Sequence, residues 1–177
     1  VRMTMQPMAW LVPRTEFDRR PMWFLYGGLV FQRLTAEFLR IWGEHWWDKA
    51  PKELLHLYYS GLRKQEQQEV VVLAQVLADA VNVGYEPFAN DVVVEVGGHR
   101  PVDMRDFVAQ MDKARGEVVL KMSSGATVLL DSAAAKAAMP RILQRYHVPG
   151  DRSADLAVAR VGGRTGGRAA AHRAKRR

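Results

Sequence analysis

The residues of this chain best suited to chemistry are its serines, its histidines and a pair of adjacent glycines. Nucleophilic hydrolysis needs a serine, a histidine base and an acid that orients the base. Ser124 precedes Gly125 in a stretch typical of a hairpin turn, without the glycine-rich surroundings that position a nucleophile. The sequence therefore predicts no catalytic residue in this chain.

The histidines do not form a metal-binding pattern either. His45 and His56 lie too far apart in the sequence for a common ligand pair. The chain has no Cys, which excludes thiolate ligands and disulfides. We expect no metal and no other cofactor.

The glycine pair has a different chemistry, within the stretch Tyr26-Gly27-Gly28-Leu29-Val30-Phe31. Successive backbone N–H groups at a glycine turn can form a nest for an anion, such as the carboxylate of a peptide. Such a peptide could add a strand to a sheet edge at Leu29 and Phe31. The alternative is that the two glycines form an ordinary bulge.

A second set of residues could face the same peptide. Met104, Val108 and Met111 have i, i+4, i+7 spacing on one side of a helix that Asp103 is expected to cap. They would supply pockets for peptide side chains. The alternative is that all three belong to the core.

The elements that must position these residues alternate between strand and helix patterns. Strands are predicted from Leu29 and over 91–96, and a hairpin over 117–131 turns at Ser124-Gly125. The stretch Glu69–Ala80 is ambiguous, although its consecutive valines favour a strand at its start.

Two predicted helices and an insert complete the domain. A helix over 133–146 is expected to be interrupted by Pro140, and helical patterns between residues 35 and 66 form an insert that Thr35 begins as a cap. The predicted fold is α+β, an antiparallel sheet or partial barrel capped by helices.

The segment 90–130, NDVVVEVGGHRPVDMRDFVAQMDKARGEVVLKMSSGATVLL, resembles the second half of a PDZ domain from the Deg/HtrA (Do-like) serine proteases. The stretches LVPRTEFD, YGGLVFQRLT, VVVLAQVLADAVNVGYE and RYHVP resemble, in the same order, the C-terminal PDZ-like domain of the plant-type and bacterial Deg branch. The resemblance covers about residues 8–156. It implies that the Tyr26–Phe31 loop binds a peptide carboxylate and that a serine endopeptidase domain lies upstream.

The predicted organisation has three parts. Residues 1–20 are a linker from an upstream domain, 21–149 are the PDZ-like domain, and 150–177 are a disordered tail. The tail holds eight basic and two acidic residues, or +6 of the formal net charge of +7. Its arginines are not interleaved with aromatic residues, so nucleic acid is kept only as an alternative partner.

The composition limits the classes of protein to which this chain can belong. With 177 residues and 48% hydrophobic content, the chain can bury a core, and no apolar run approaches the roughly 18 residues of a membrane-spanning helix. No leader pattern is visible. The compartment stays open between periplasm and cytoplasm, and the chain is expected to be part of a longer protein.

The functional prediction is therefore an interaction module. It would bind peptides or unfolded segments by strand addition and support the protease oligomer through sister subunits and the upstream protease domain. In the alternative, the groove is filled by the insert or the N-terminal segment, and the domain only supports oligomerisation through its tryptophans. For Trp46 and Trp47, with Trp42 and Trp23, the favoured interpretation is that they tether the inserted helices to the sheet. Under the first reading, Gly28→Val is expected to abolish binding and leave the fold largely intact.

Overall fold

A computed structural model describes residues 9–15 and 19–157. Its strands form one open antiparallel sheet in which each strand pairs with the next along the chain. The strands are β1 (Trp23–Tyr26), β2 (Leu29–Arg33), β3 (Val71–Val76), β4 (Asp91–Val96), β5 (Glu117–Met122) and β6 (Thr127–Asp131). The ambiguous stretch after Glu69 is thus a strand.

The helices occupy the connections and the C-terminal region. They are α1 (Ala36–Leu39), α2 (Trp46–Lys49), α3 (Lys52–Ser60), α4 (Met104–Lys113), α5 (Ser132–Arg145) and α6 (Ala154–Ala157), with 3₁₀ turns at Arg40–Trp42 and Glu86–Phe88. The predicted α+β class, an antiparallel sheet covered by helices, is confirmed.

Polar caps begin three of these helices. Asp103 accepts a hydrogen bond from the backbone N–H of Asp106 at 2.7 Å, and Thr35 accepts one from Phe38 at 3.1 Å. Asp131 caps α5 in the same way. Each cap satisfies a helix-terminal N–H group that has no partner inside the helix, as the sequence predicts for Thr35 and Asp103.

Helix α4 packs its apolar side on one face of the sheet. Phe107 lies between Phe31 of β2, with ring centroids 4.7 Å apart, and Phe24 of β1, at 6.1 Å. A second cluster joins the insert to the sheet, with Leu39 and Leu54 packed near Val72. The sheet therefore receives α4 and the insert through two separate apolar clusters.

Helix α5 continues through Pro140, so the predicted interruption there is wrong. Proline removes one helical hydrogen bond. Pro140 is exposed, so water can reach the backbone around it. Ala135, Ala138 and Ile142 are fully buried on the opposite side of the helix. Burial of that stripe before and after Pro140 favours a single continuous helix.

The outer edge of β6 carries a side-chain cap. The hydroxyl of Tyr85 donates to the carbonyl of Leu129 at 2.6 Å and accepts from the N–H of the same residue at 3.1 Å. One phenol thus satisfies both backbone groups that Leu129 presents at this edge.

The packed part of the chain extends past the predicted domain limits of 21–149. Leu11 and Val12 are buried against the insert, and Leu156 is buried in the main core. The other predicted tail residues, 158–177, and the first eight residues lie outside the described part. None of the helices in the described ranges is both long and apolar enough to span a membrane.

Candidate peptide-binding groove

Gly27 and Gly28 form the two-residue turn of the β1–β2 hairpin, flanked by the paired residues Tyr26 and Leu29. Their φ angles are +56° and +87°. A two-residue hairpin turn with positive φ at both positions matches the twist of its strands, and glycine adopts it without steric cost. The sequence predicted a turn or bulge here, and the structure shows a tight turn.

This turn is fixed by the fully buried side chain of Asn82. The amide Nδ2 of Asn82 donates to the carbonyls of Gly27 and Leu77, both at 2.8 Å. The N–H of Leu77 donates to the carbonyl of Gly28 at 2.7 Å. Both carbonyls of the turn are therefore bonded to the 77–82 loop, and the turn is buried.

The predicted site residues on β1 and β2 lie inside the fold. Tyr26, Leu29 and Phe31 are buried in the main core, while Val30 is half-buried. Burial raises the pKa of the Tyr26 phenol above its ordinary value. Strand β2 pairs with β1 on one side and β3 on the other, so it offers no edge to an added strand.

The site residues predicted on the helix are also buried. Met104, Val108 and Met111 belong to the same core cluster as Leu29 and Phe31. The structure thus brings the two predicted sets together, but as packed neighbours with their side chains buried. Peptide contact at these residues stays a prediction.

The outer edge of β1 is where a strand is added in this structure. Residues 151–157, here called the C-terminal segment, meet β1 at one antiparallel bridge, with Arg152 opposite Phe24, before α6 begins at Ala154. The N–H of Leu25 donates to the carbonyl of Asp151 at 2.7 Å, and the N–H of Ser153 donates to the carbonyl of Trp23 at 3.0 Å. The segment therefore pairs with β1 as a short extra strand.

Arg152 fixes this segment to α4. Its guanidinium donates two hydrogen bonds to the carboxylate of Asp112, both at 2.9 Å, and lies 4.9 Å from the ring centroid of Phe24. A third contact at 2.8 Å reaches the carboxylate of Asp151. These carboxylates, Asp112 first, hold the pKa of Arg152 above its usual range. The Arg152 side chain is only 5% exposed.

Leu156 holds the other end of the segment. It is buried in the main core from the single-turn helix α6. One guanidinium nitrogen of Arg105, on α4, donates to the carbonyl of Asp155 at 2.7 Å. The C-terminal segment thus lies in a groove with β1 as one wall and α4 as the other. The predicted alternative named the insert or the N-terminal segment as the group that fills the groove, whereas here the C-terminal segment fills it.

Sequence reasoning missed Asn82, Arg152 and Leu156. Asn82 lies in a stretch used only for its resemblance, and a buried side-chain clamp leaves no periodic pattern. Arg152 and Leu156 were assigned to the basic tail. The available signal was Ser153, a favourable helix start, followed by one leucine in a region otherwise poor in large apolar residues.

The insert carries an aromatic cluster with one exposed member. Trp46 packs edge-on against Tyr58 with ring centroids 5.1 Å apart, and Trp42 packs against Phe38 at 5.8 Å. These ring contacts lie within the insert, and Trp42 and Trp46 also pack against the apolar cluster that joins the insert to the sheet. Trp47 is 50% exposed and lies at the surface. Both predicted roles of the tryptophans thus have a residue that fits them.

Ser123 and Ser124 both donate hydrogen bonds from their hydroxyls to the carboxylate of Asp91. They close the end of the β5–β6 hairpin against β4. Within residues 9–15 and 19–157, no group of three or more His, Cys, Asp or Glu side chains is placed to hold a metal ion.

Comparison with known proteins agrees with this architecture. A family model described as "PDZ domain" matches residues 12–155. Among the relatives, "Protease Do-like 2, chloroplastic" of Arabidopsis thaliana is 27% identical over 157 residues, covering 88% of this chain and 25% of the relative. "Putative protease Do-like 3, mitochondrial" of the same plant is 26% identical over 149 residues, covering 82% of this chain and 24% of the relative.

"Putative protease Do-like 13", also from Arabidopsis thaliana, is 25% identical over 154 residues, covering 86% of this chain and 27% of the relative. The chain thus spans about a quarter of the length of these relatives. The predicted resemblance to the PDZ domains of Do-like proteases is confirmed, as is the prediction that the chain is an interaction domain and not itself a peptidase. By its match over most of its length, the chain belongs to the PDZ domain family.

Proposed function

We propose that this domain binds extended peptide or unfolded protein segments by strand addition to the outer edge of β1. The observation that carries the proposal is the pairing of Trp23 and Leu25 with the C-terminal segment. That pairing supports the proposal because it shows that the backbone groups of this edge are accessible to another segment of chain. Main-chain hydrogen bonds supply affinity in this mode of recognition, and neighbouring pockets supply specificity.

The second wall of the site is α4. The exposed Arg105 and the half-buried Asp112 present opposite charges to a segment lying beside β1. Met104, Val108 and Met111 support this wall from within the core. The site predicted at Leu29 and Phe31 thereby moves by one strand, to the edge of the sheet, because β2 is paired on both sides.

The parent protein is proposed to be a serine endopeptidase. The relatives carry the word protease in their names and are about four times as long as this chain. In such a protein the domain would deliver bound segments to an upstream protease domain and help assemble the oligomer. The exposed side chains of Ile41, Trp47 and Tyr59 on the insert favour a contact with the upstream domain or a sister subunit.

The test is an NMR titration of the isolated chain with peptides that have free or amidated C-termini. We expect amide shifts at Trp23 and Leu25 and along α4, with equal affinity for both peptide forms. Shifts centred on Gly27 and lost on amidation would instead support a carboxylate loop, and no shifts at any site would contradict peptide binding. Sedimentation of the same samples, with Trp47→Ser as the comparison, tests whether the insert carries an oligomer contact.

A further inference from the structure

The C-terminal segment occupies the same groove that the proposed function assigns to a peptide. We propose that residues 151–157 are a built-in ligand of this groove, which a partner must displace. We further propose that the partner is an internal peptide segment with an arginine and, four residues later, a large apolar side chain. This inference rests on the proposed function and adds its regulation and specificity.

Competition follows from the backbone groups involved. The N–H of Leu25 and the carbonyl of Trp23 face outward from β1 and are both taken by the C-terminal segment. A peptide strand at this edge would need the same two groups. Each group forms one such bond at a time, so the segment and a peptide exclude each other.

The arginine requirement follows from the position of Arg152. Its side chain is nearly buried, forms a two-point contact with Asp112 and lies over the ring of Phe24. The planar guanidinium matches a carboxylate in two parallel hydrogen bonds and stacks on an aromatic ring, which a lysine ammonium does not reproduce. A replacement segment without arginine would leave Asp112 facing the groove without this partner.

The apolar requirement follows from Leu156. Four residues after Arg152, it enters the main core between the sheet and α4. The turn of α6 that carries it is held by Arg105 through a backbone carbonyl, which any residue can provide. Arginine and leucine are therefore the side chains on which selection depends.

The partner is proposed to be an internal segment because the built-in ligand is itself internal to the chain. The chain extends for twenty residues beyond Ala157. The turn at Gly27-Gly28, where a terminal carboxylate would bind, is closed by Asn82. The groove thus accepts a chain that passes through it and needs no free C-terminus.

The segment is also attached in a way that permits release. It follows Pro149 and Gly150, after the end of α5, and its pairing with β1 is a single bridge. By contrast, β1 and β2 pair through four successive residues. Short elements held by few backbone hydrogen bonds open at low free-energy cost compared with global unfolding.

The experiment compares the full chain with Arg152→Ala and with Arg63→Ala, an exposed charge-matched control on the insert side. The probe is a fluorescein-labelled peptide of residues 149–158, acetylated and amidated, followed by fluorescence anisotropy. Arg152→Ala should bind it at least tenfold more tightly than the other two proteins. The reason is that the attachment of its own segment is weakened, whereas Asp112 and Phe24, which contact the arginine, are unchanged. Hydrogen exchange at the amides of Leu25 and Ser153 should also accelerate in this variant.

A second peptide with alanine in place of arginine should bind Arg152→Ala at least tenfold more weakly than the first. Equal affinity of the two peptides would overturn the arginine requirement and leave strand addition standing. Fast exchange at Leu25 without any gain in affinity would overturn the competition. Absence of binding by every peptide to a protein with this edge open would overturn the proposed function itself.

Ser153→Pro provides a second route to the open groove. It removes the N–H donor to Trp23 and keeps Arg152 and Asp112 intact. The same gain in peptide affinity is expected. If Arg152→Ala loses its fold, as judged by circular dichroism, Ser153→Pro decides the inference: unchanged peptide affinity in this folded variant would overturn it.

Discussion

Strand β1 has two edges that are paired in different ways. Its inner edge joins β2 through four residue pairs and a tight turn, which the buried Asn82 clamps from the 77–82 loop. Its outer edge joins the C-terminal segment through one bridge and two backbone hydrogen bonds, and the Arg152–Asp112 contact fixes the same segment to α4. The first pairing is built into the hairpin, and the second is made by residues 151–157, far along the chain from β1.

The difference separates folding from binding within one strand. The hydrogen bonds at the inner edge can break only if the sheet itself opens. The turn, the Asn82 clamp and the pairing of β2 with β3 all hold β2 beside β1. Bonds at the outer edge can break by local opening of about seven residues. A strand with one permanent and one exchangeable neighbour is suited to receive a ligand without loss of its own structure.

The largest effect should come from Gly28→Ala. A Cβ at this position would lie 2.1 Å from Nδ2 of Asn82 and 2.5 Å from the carbonyl oxygen of Leu77, at a φ of +87°. Overpacking and backbone strain together should lower the free energy of unfolding by about 3–5 kcal/mol. Urea denaturation measures the loss.

Gly98→Ala is the matched control. Its φ is +86°, but no atom lies within 4 Å of the added Cβ. It should cost about 1–2 kcal/mol, the strain of a left-handed residue alone. Equal losses in the two variants would show that the Asn82 clamp does not stabilise the turn. The same contact means that we now expect Gly28→Val to unfold the domain, whereas the sequence alone suggested an intact fold.

The sequence predicts well where a rule acts locally. The β5–β6 hairpin, the caps at Thr35 and Asp103 and the strand β4 all follow from turn chemistry, capping and alternation. The interruption predicted in α5 is wrong because the burial of Ala138 and Ile142 outweighs the local cost of Pro140. The position of the groove could not be predicted from the sequence. The segment that pairs with β1 lies about 130 residues further along the chain, and it is held there by Asp112 on α4.

We expect an intermediate effect on stability when the pH is lowered, because a carboxylate helps to hold the inner edge of β1. Asp79 lies in the 77–82 loop, where its N–H donates to the side chain of Asn82, and its own side chain accepts a hydrogen bond from Arg141 of α5. This hydrogen bond holds the pKa of Asp79 below its ordinary value. The folded state therefore favours the carboxylate, and the resulting stability is present at neutral pH and lost as the pH falls below about 4.

Asp79→Asn tests this pH dependence. Its deficit in unfolding free energy relative to the original chain should be largest at pH 7 and shrink toward pH 3 in urea titrations. Asp48→Asn, at an exposed position of the insert, is the control and should show no comparable convergence. If the deficit in unfolding free energy of Asp79→Asn stays constant across this pH range, the Asp79–Arg141 contact does not contribute to the stability of the clamp.

The smallest effect on global stability should come from Leu156→Ala. Removal of a buried leucine usually costs several kcal/mol, but here the segment can open locally. We expect about 1 kcal/mol or less in global unfolding, together with faster hydrogen exchange at the Leu25 amide. Leu62→Ala, at an exposed leucine, should leave that exchange rate unchanged. A loss of several kcal/mol in the free energy of global unfolding of Leu156→Ala would show that the outer edge opens only when the whole domain unfolds, like the inner edge.

The phenol of Tyr85 at the far side of the sheet sets a limit on stoichiometry. A sheet with two open edges can be extended in both directions, so that domains joined edge to edge would grow into open-ended fibres. Tyr85 satisfies both backbone groups of Leu129 on β6, which makes that edge a poor template. Under the proposed function, strand addition is then confined to the β1 side, and we expect each domain to take up one chain at a time.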